Sequence, residues 1–454
     1  MCRYPKSAAR FSASPTRCGP NSWRPSSRTA PSRSSRLVLT SLTAREAAER
    51  IQAAVPVGPP LRVPLASALG SVLAESVISP IDVPFWANSA MDGYAVRADE
   101  VRGASAAAPV RLRVIEQIPA GTFPTRTIGA GQAARIFTGA PLPDGADSVI
   151  RQEDTDLGTD LVTIVRDRDC GVNVRRAGED LRAGALVFEA GTALGPAHLG
   201  VLASLAMAHP VVYRRPRVAI LGSGDEIVDV DQPDLILSGR KVASSNNHTM
   251  TAMVRLAGGE PVSLGNAADR PEAIRRLLES ALDCDLIVTT AGISVGEHDH
   301  LRGVLQSMGA EIDFWKLRMR PGAPVGFGMV SSVPWIGLPG NPVSAMVTFE
   351  LFARPAIRRM MGEPLPFRRA VSVAPAEPIR LGPALQHFLR ARVTGDGAEA
   401  IASLTGPQGS GILKSMAIAN ALLIVPEGVQ QVGVGSRLDA IRLDDPTHLA
   451  APPF

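Results

Sequence analysis

Apolar and polar positions along this chain switch between a helical period and a period of two, and the switches mark out its parts. LTSLTAREAAERIQAAV carries a helical pattern, with Thr43 at the N-cap position and Glu46 three residues later, the arrangement of a capping box. A second helical pattern runs from Pro64 to about Ser76, and the two prolines of SPIDVPFW then interrupt it. From Asn88 to about Arg168 the text becomes short strand-like runs between Gly, Pro and Asp: DGYAVRA, VRLRVIEQI, QAARIFTGAPL, DSVIRQEDT and DLVTIVR. These predict a small β-rich unit. Pro196 to Met207 reads as a helix.

At Arg217 the character changes. RVAILGSGDEIV is a buried strand followed by a tight loop, Thr249–Ala257 and Pro271–Asp283 are helical, and Leu286–Thr290 is a second strand. Leu301–Met308 is a helix, Trp335–Gly337 a third strand end, and Pro342 opens a long helix at its first position, where a missing N–H costs nothing. Alternating strand and helix with short loops predicts a parallel α/β sheet, with ligands at the carboxyl ends of the strands. After about Phe367 the pattern is β again. The expected organisation is a tail over 1–36, a helical and β linker domain from 37–87 and 169–212, a small β-rich domain over 88–168, an α/β domain over 213–367 and a C-terminal β domain over 368–454.

Two strands of the α/β region run into glycine-rich loops, LIVTTAGISVGEHDH and WIGLPGNPVSAMVTFELF. Between them, in FWKLRMRPGAP, Lys316, Arg318 and Arg320 alternate with Trp315, Leu317 and Met319. A period of two puts the three cations on one face of an extended segment. Cations beside glycine-rich strand ends make an anion site, with phosphate the natural occupant.

Charge refines this picture. The chain has a net charge of +4, yet residues 1–36 hold seven Arg, one Lys and no acid, so the remainder carries −4. The basic character therefore belongs to the tail, whose Arg-, Ser- and Pro-rich text cannot support a packed core. A transit peptide, a nucleic-acid-binding arm or translation from an upstream start would each give such a segment; disorder without function is the expectation. The four cysteines (Cys2, Cys18, Cys170 and Cys284) have neither metal spacing nor a disulfide framework, which fits a reducing compartment. The longest apolar runs fall well short of the ~20 residues of a membrane span. Neither a membrane nor nucleic acid is an expected partner.

The acids carry the strongest chemical signal. Asp225 and Glu226 follow the Arg217 strand, Asp299 follows the Leu286 strand, and Asp269 precedes the Pro271 helix. Carboxylates at converging strand ends suit Mg²⁺, which prefers oxygen ligands and bridges to substrate phosphates. Each also has a plainer reading: an N-cap for Asp269, a solvated turn for Asp225 and Glu226. Ser294 in GISVG matches a nucleophile elbow in form, but no helix follows directly and GEHDH does, so a phosphate-cradling loop explains the glycines better. His298 and His300 flank Asp299 without a third nearby ligand, which is weak ground for a transition metal. Lys316, Arg318 and Arg320 could be the wet side of an amphipathic strand, although three like charges on one strand repel. Asp92 and Thr138 read as loop residues by themselves.

Seven segments occur in the order of one known family: SPIDVPFWANSAMDGYAVR, RIFTGAPLPDGADSVI, VRRAGEDLRAG, LGSGDEIV, AGISVGEHDH, FWKLRMRPGAP and GLPGNPVSAMVTF. Together they resemble the MoeA family of molybdopterin molybdenumtransferases, seen also in the C-terminal domain of gephyrin, and the resemblance runs from Leu37 to the C-terminus. It implies a MogA-like α/β molybdopterin-binding domain and a barrel-like C-terminal β domain. The implied reaction inserts molybdate into adenylylated molybdopterin with Mg²⁺, releasing AMP and molybdenum cofactor. The family's catalytic and binding positions fall on Asp92, Thr138, Asp180, Glu226, Asp269, Asp299, Lys316, Arg320, Pro339 and Pro342. Glu226 and Asp299 are the implied metal-supporting acids. Gly292, Ser294, Gly296, Arg318, Gly340, Asn341 and Ser344 complete the expected substrate-binding set. The family's elongated homodimers form the site between the α/β domain of one subunit and the small β domain of the other, so Asp92 and Thr138 would act in trans. A cytoplasmic enzyme is implied, in transient contact with molybdopterin adenylyltransferase and with molybdoenzyme apoproteins or their chaperones.

Some positions depart from the family pattern. Ala291 stands where a second glycine is frequent, Ala323 where a lysine follows the RPG turn, Arg320 for a common lysine and His300 for an aromatic, and VASSN lacks the usual Tyr-Asp pair. Two competing expectations remain: a molybdopterin adenylyltransferase, which shares the α/β fold but lacks the flanking domains, and a non-catalytic carrier or scaffold.

Overall fold

The computed structural model describes residues 41–293, 300–445 and 447–454. Helix α1 (Ala44–Ala54) begins as its sequence demands. Thr43 accepts the Glu46 amide at 3.1 Å while the Glu46 carboxylate accepts the Thr43 N–H at 2.8 Å. The helical pattern expected from Pro64 to Ser76 yields only a 3₁₀ turn at Leu65–Ser67. Gly70 turns the chain at φ +72°, and Leu73 and Ala74 then donate their amides to the Thr192 and Val211 carbonyls. Pairing with distant segments overrides the local preference there.

Strands β1 (Gly93–Val96), β2 (Val110–Ile118), β3 (Gln132–Ile136), β4 (Ser148–Arg151) and β5 (Leu161–Ile164) form one sheet in the order β4-β1-β3-β2-β5. Gly93 is obligatory in it, because a Cβ there would lie 2.0 Å from the Ile150 carbonyl oxygen. Helix α2 (Pro196–Ser204) follows, shorter than expected by its last turn.

The α/β region contains β6 (Arg217–Ser223), α3 (Ser245–Ala257), β7 (Glu260–Ala267), α4 (Pro271–Ser280), β8 (Leu286–Thr290), α5 (His300–Ser307), β9 (Glu311–Phe314), β10 (Met319–Arg320), β11 (Gly326–Val330) and β12 (Val333–Leu338). Helix α6 (Pro342–Thr348) continues through a π segment, Phe349–Ala353, into α7 (Arg354–Met360). The sheet order is β7-β6-β8-β12-β11-β9. The first four strands are parallel, as the strand–helix alternation predicts, while β11 and β9 add an antiparallel edge that the sequence pattern did not separate out. Opposite faces of this sheet feed two apolar cores. Val218, Ile220, Val288 and Ile336 face α1, α3 and the long helix; Ala219, Leu221, Ile287 and Trp335 face α4 and α5.

In the C-terminal region β13 (Ala370–Pro375), β14 (Gln386–Thr394), β15 (Ile401–Leu404), β16 (Ala421–Val425) and β17 (Leu438–Arg442) run β14-β15-β13-β17-β16, and β16 pairs back with β14 to close a five-stranded barrel. Strand β10 joins it from outside by pairing with β14, which ties the cation segment to the barrel. Among the described residues no helix is long and apolar enough to cross a membrane.

Candidate active site

A cavity of about 490 Å³ lies at the carboxyl ends of β6, β8 and β12, where an open parallel sheet is expected to receive its ligand. At its floor Gly222 leaves room for neighbouring side chains. A Cβ at Gly222 would stand 2.2 Å from Asn266 Oδ1 and 3.3 Å from Thr290 Oγ1, so only glycine allows these two side chains to close over β6. Asn266 Nδ2 in turn donates to Ser244 Oγ at 2.9 Å, joining the end of β7 to the start of α3. Asn246 Nδ2 donates to the Gly340 carbonyl at 2.7 Å, and its Oδ1 is buried without a partner among the described residues.

The structure gathers six of the expected residues in this lining: Glu226, Gly292, Pro339, Gly340, Asn341 and Pro342. The Glu226 carboxylate folds back over Gly224, whose φ of +141° and missing Cβ make the turn possible, and has no side-chain partner among the described residues. Asp269 is absent from this lining and does not cap α4. Arg270 holds that position; Asp269 Oδ2 instead accepts the Asp225 N–H at 3.3 Å, and Asp225 Oδ1 accepts the Asp269 N–H at 3.1 Å. This exchange staples the loop after β6 to the loop after β7 and replaces the N-cap reading of Asp269.

Asp92 and Thr138 form a second, exposed pair on the small sheet. Asp92 Oδ1 accepts the Thr138 N–H at 2.8 Å and the Thr138 hydroxyl at 2.7 Å. Those two bonds, with the Arg135 charge nearby, hold the Asp92 carboxyl below the usual aspartate range. Asp180 is also exposed, and its backbone N–H donates to the Val83 carbonyl at 3.0 Å. None of these three lines the cavity.

The cation segment alternates as its sequence predicts. Trp315, Leu317 and Met319 are buried, Lys316 and Arg320 are exposed and Arg318 is half-buried. Arg318 is committed to structure: it donates to the Ser41 carbonyl at 2.6 Å and to Glu427 at 3.0 Å. Lys316 and Arg320 have no side-chain partner among the described residues. Arg320 lines a second cavity, of about 310 Å³, with Arg380 and Gln408 at the barrel. Arg390 lies in the same wall, but its donors go to Ser415 Oγ and to the Pro407, Gln408 and Gly409 carbonyls. Ser344 is buried in α6 and is absent from the first cavity's lining. The expected Ser294, Gly296 and Asp299 lie outside the described residues, as does His298. Among the described residues no group of three His, Cys, Asp or Glu side chains is assembled around a common metal position.

Sequence reasoning missed Gly222, Ser244, Asn246, Asn266 and Thr290. Gly222 and Thr290 end strands that were read correctly, so the strand-end rule could have named them. Asn266 ends a strand the pattern did not reveal.

Three family profiles divide the chain among them. One described as the MoeA N-terminal region (domain I and II) matches residues 42–206, one described as a "Probable molybdopterin binding domain" matches 219–359, and one described as the MoeA C-terminal region (domain IV) matches 373–443. The chain is 38% identical over 385 residues to molybdopterin molybdenumtransferase 2 of Mycobacterium tuberculosis, an overlap covering 84% of this chain and 94% of that protein. The chain belongs to the MoeA family. A second relative, the molybdopterin molybdenumtransferase of a Nostoc species, is 36% identical over 84% of this chain and 88% of its own length. The crystal structure of the molybdopterin biosynthesis MoeA protein of Pyrococcus horikoshii matches with a TM-score of 0.75 at 29% identity, covering 89% of this chain and 100% of that one.

Proposed function

We propose that this MoeA-family chain inserts molybdate into adenylylated molybdopterin, with Mg²⁺-dependent release of AMP. It is a transferase of molybdenum cofactor biosynthesis; the adenylylated substrate, the metal and the residue roles are the proposal. The observation that carries it is the 490 Å³ cavity at the strand ends, lined by Glu226, whose carboxylate has no side-chain partner among the described residues, and by Gly292 and Pro339–Pro342.

Exposed backbone with little side-chain cover lets phosphate approach closely, as glycine-rich strand ends do elsewhere. Lys316 and Arg320, both without a side-chain partner among the described residues, would hold the negative charge of the phosphates and of molybdate, with Arg320 extending that charge toward the barrel. Thr290 Oγ1 and the Asn266 amide present hydrogen-bonding groups to a polar substrate. The donors fit Mg²⁺, which takes one or two carboxylates and lets substrate phosphate and water complete its shell. Glu226, with Asp299 from sequence, would hold it. When bound there it would neutralise phosphate charge and polarise the phosphoanhydride.

Asp92 and Thr138 lie outside the cavity. In a homodimer the small β domain of one subunit would present them to the α/β domain of the other, and Asp180 would accompany them. The flanking β domains favour this reading over an adenylyltransferase, which needs only the α/β domain. A cytoplasmic location follows, with transient contact to the adenylyltransferase that supplies substrate and to the apoproteins or chaperones that take the product.

The test is incubation of purified protein with adenylylated molybdopterin, Mg²⁺ and molybdate, following AMP release and activation of a molybdenum-free apoenzyme. Molybdate-stimulated AMP release with activation is expected. Tight pterin binding without either would replace the transferase by a carrier.

A further inference from the structure

Trp315 touches both chain ends that flank residues 294–299. Its indole N–H donates to the Ile293 carbonyl at 3.1 Å, and the Arg302 guanidinium of α5 lies 5.3 Å from its ring centroid. Its ring also stacks on Trp335, with centroids 5.4 Å apart and planes at 28°. Gly326 and Gly337 make room for that stack, since a Cβ on either would lie within about 2.5 Å of the Trp335 ring. Trp315 is 5% exposed, Trp335 fully buried and Ile293 2% exposed, so the hydrogen bond is shielded from water.

We propose that Trp315 is a positioning residue that fixes the Gly292–Ile293 rim of the cavity relative to Lys316. The inference rests on the function proposed above for its kinetic consequence, though not for its structural one. Lys316 is the next residue in the chain, so the indole joins the cation segment to the loop rim through one side chain. A buried carbonyl must find a donor. Indole N–H is a donor with no acceptor role, which makes the pairing with Ile293 one-directional. Gly292, at φ +72°, reinforces the same junction, because a Cβ there would press on Leu301 at 2.9 Å.

Phenylalanine keeps the stack and deletes the N–H, so Trp315→Phe is the test. Trp335 makes a comparable indole bond, to Thr289 Oγ1 at 3.1 Å inside strand β8, and Thr289→Val, which removes that acceptor and leaves both rings in place, is the control. In the full chain, Trp315→Phe should accelerate amide hydrogen exchange over peptides spanning 292–302, and Thr289→Val should not. AMP release should show kcat lowered by about tenfold, with KM for the pterin nucleotide within about twofold. Unchanged exchange, or an equal rise in both variants, would overturn the proposal, as would activity loss that follows only the folded fraction. If the wild-type chain releases no AMP, the proposed reaction fails while the exchange comparison still decides the role of Trp315. Should Trp315→Phe not fold, Arg302→Gln takes its place. A smaller rise confined to the same peptides is then expected, and no change overturns the proposal.

Discussion

Asp92 receives two hydrogen bonds from a single residue, the Thr138 backbone N–H at 2.8 Å and the Thr138 hydroxyl at 2.7 Å. The two lie 46 positions apart, at the start of β1 and just beyond β3, and neighbouring strands bring them together. The arrangement keeps Asp92 ionised and fixed in direction on an exposed surface.

That relationship predicts a titration. The Asp92 carboxyl lies below its ordinary value, with the backbone bond the largest cause and the hydroxyl bond next. A depressed carboxyl pKa contributes stability above the unfolded value, about 3.9, and loses it as pH falls through the folded value. The contribution is small because the group is exposed. Carboxyl NMR should therefore find Asp92 titrating below 3.9, and Thr138→Val should raise the midpoint part of the way, since the amide remains. A midpoint that does not move would mean that the hydroxyl bond is not formed in solution.

Arg318 and Arg320 share one face of one segment yet should separate cleanly on mutation. Arg318 joins Ser41 to Glu427, so Arg318→Ala should cost about 1 kcal/mol of stability and leave oxyanion affinity intact. Arg320→Ala should do the reverse, weakening molybdate or phosphate binding with little change in Tm. Calorimetric titration with molybdate beside thermal melts of both variants distinguishes them. Equal losses of affinity would return Arg318 to the binding set.

A buried ion network under the barrel sets a larger stake. Glu350, in the π segment, meets Arg368 at 2.5 Å and Arg354 at 3.4 Å, with the Glu350 and Arg354 side chains each 6% exposed. Burial pushes the Arg354 guanidinium down to about 10, and Glu350 works against that shift. Arg354 also donates to the Pro366 carbonyl and to His448 Nε2. Removing the acid leaves two cations without their counter-charge, so Glu350→Ala should destabilise by roughly 3–5 kcal/mol in chemical denaturation. A loss below about 1 kcal/mol would mean that water reaches the site.

Much of this was legible because it rests on local rules. The Thr43 capping box, Pro342 at a helix start and the alternation from Trp315 to Arg320 are short-range patterns, and each forms as read. What escaped was set by distant pairing. The Pro64–Ser76 helix lost to ladders with Thr192 and Val211, and the pattern separates out no strand at β7, where Gly265 and Asn266 interrupt the apolar run. Arg318 looks identical to Lys316 and Arg320 in sequence. Ser41 and Glu427, 277 and 109 residues away, set it apart. The cavity's amides were hidden for the same reason: Asn266 matters through Gly222 and Ser244, which lie on other elements.

Two positions in the cavity lining should answer opposite substitutions in opposite ways. Ala291 adopts φ +73°, a left-handed conformation that costs a residue with a Cβ on the order of 1–2 kcal/mol. The missing Cβ of Gly340 leaves room for it: a Cβ added there would sit 3.2 Å from that of Ala291. Ala291→Gly relieves the strain while loosening the unfolded chain by about 0.5–1 kcal/mol, so the net change should be near zero or slightly stabilising. Gly222→Ala should instead destabilise by about 1–3 kcal/mol, because its Cβ would drive Asn266 off Ser244. It should also remove pterin-nucleotide binding, since the displaced amide and Thr290 line the cavity. Paired denaturation curves and binding titrations check both. Strong destabilisation by Ala291→Gly would mean that the Ala291 methyl packs against Gly340 for more than the strain it carries.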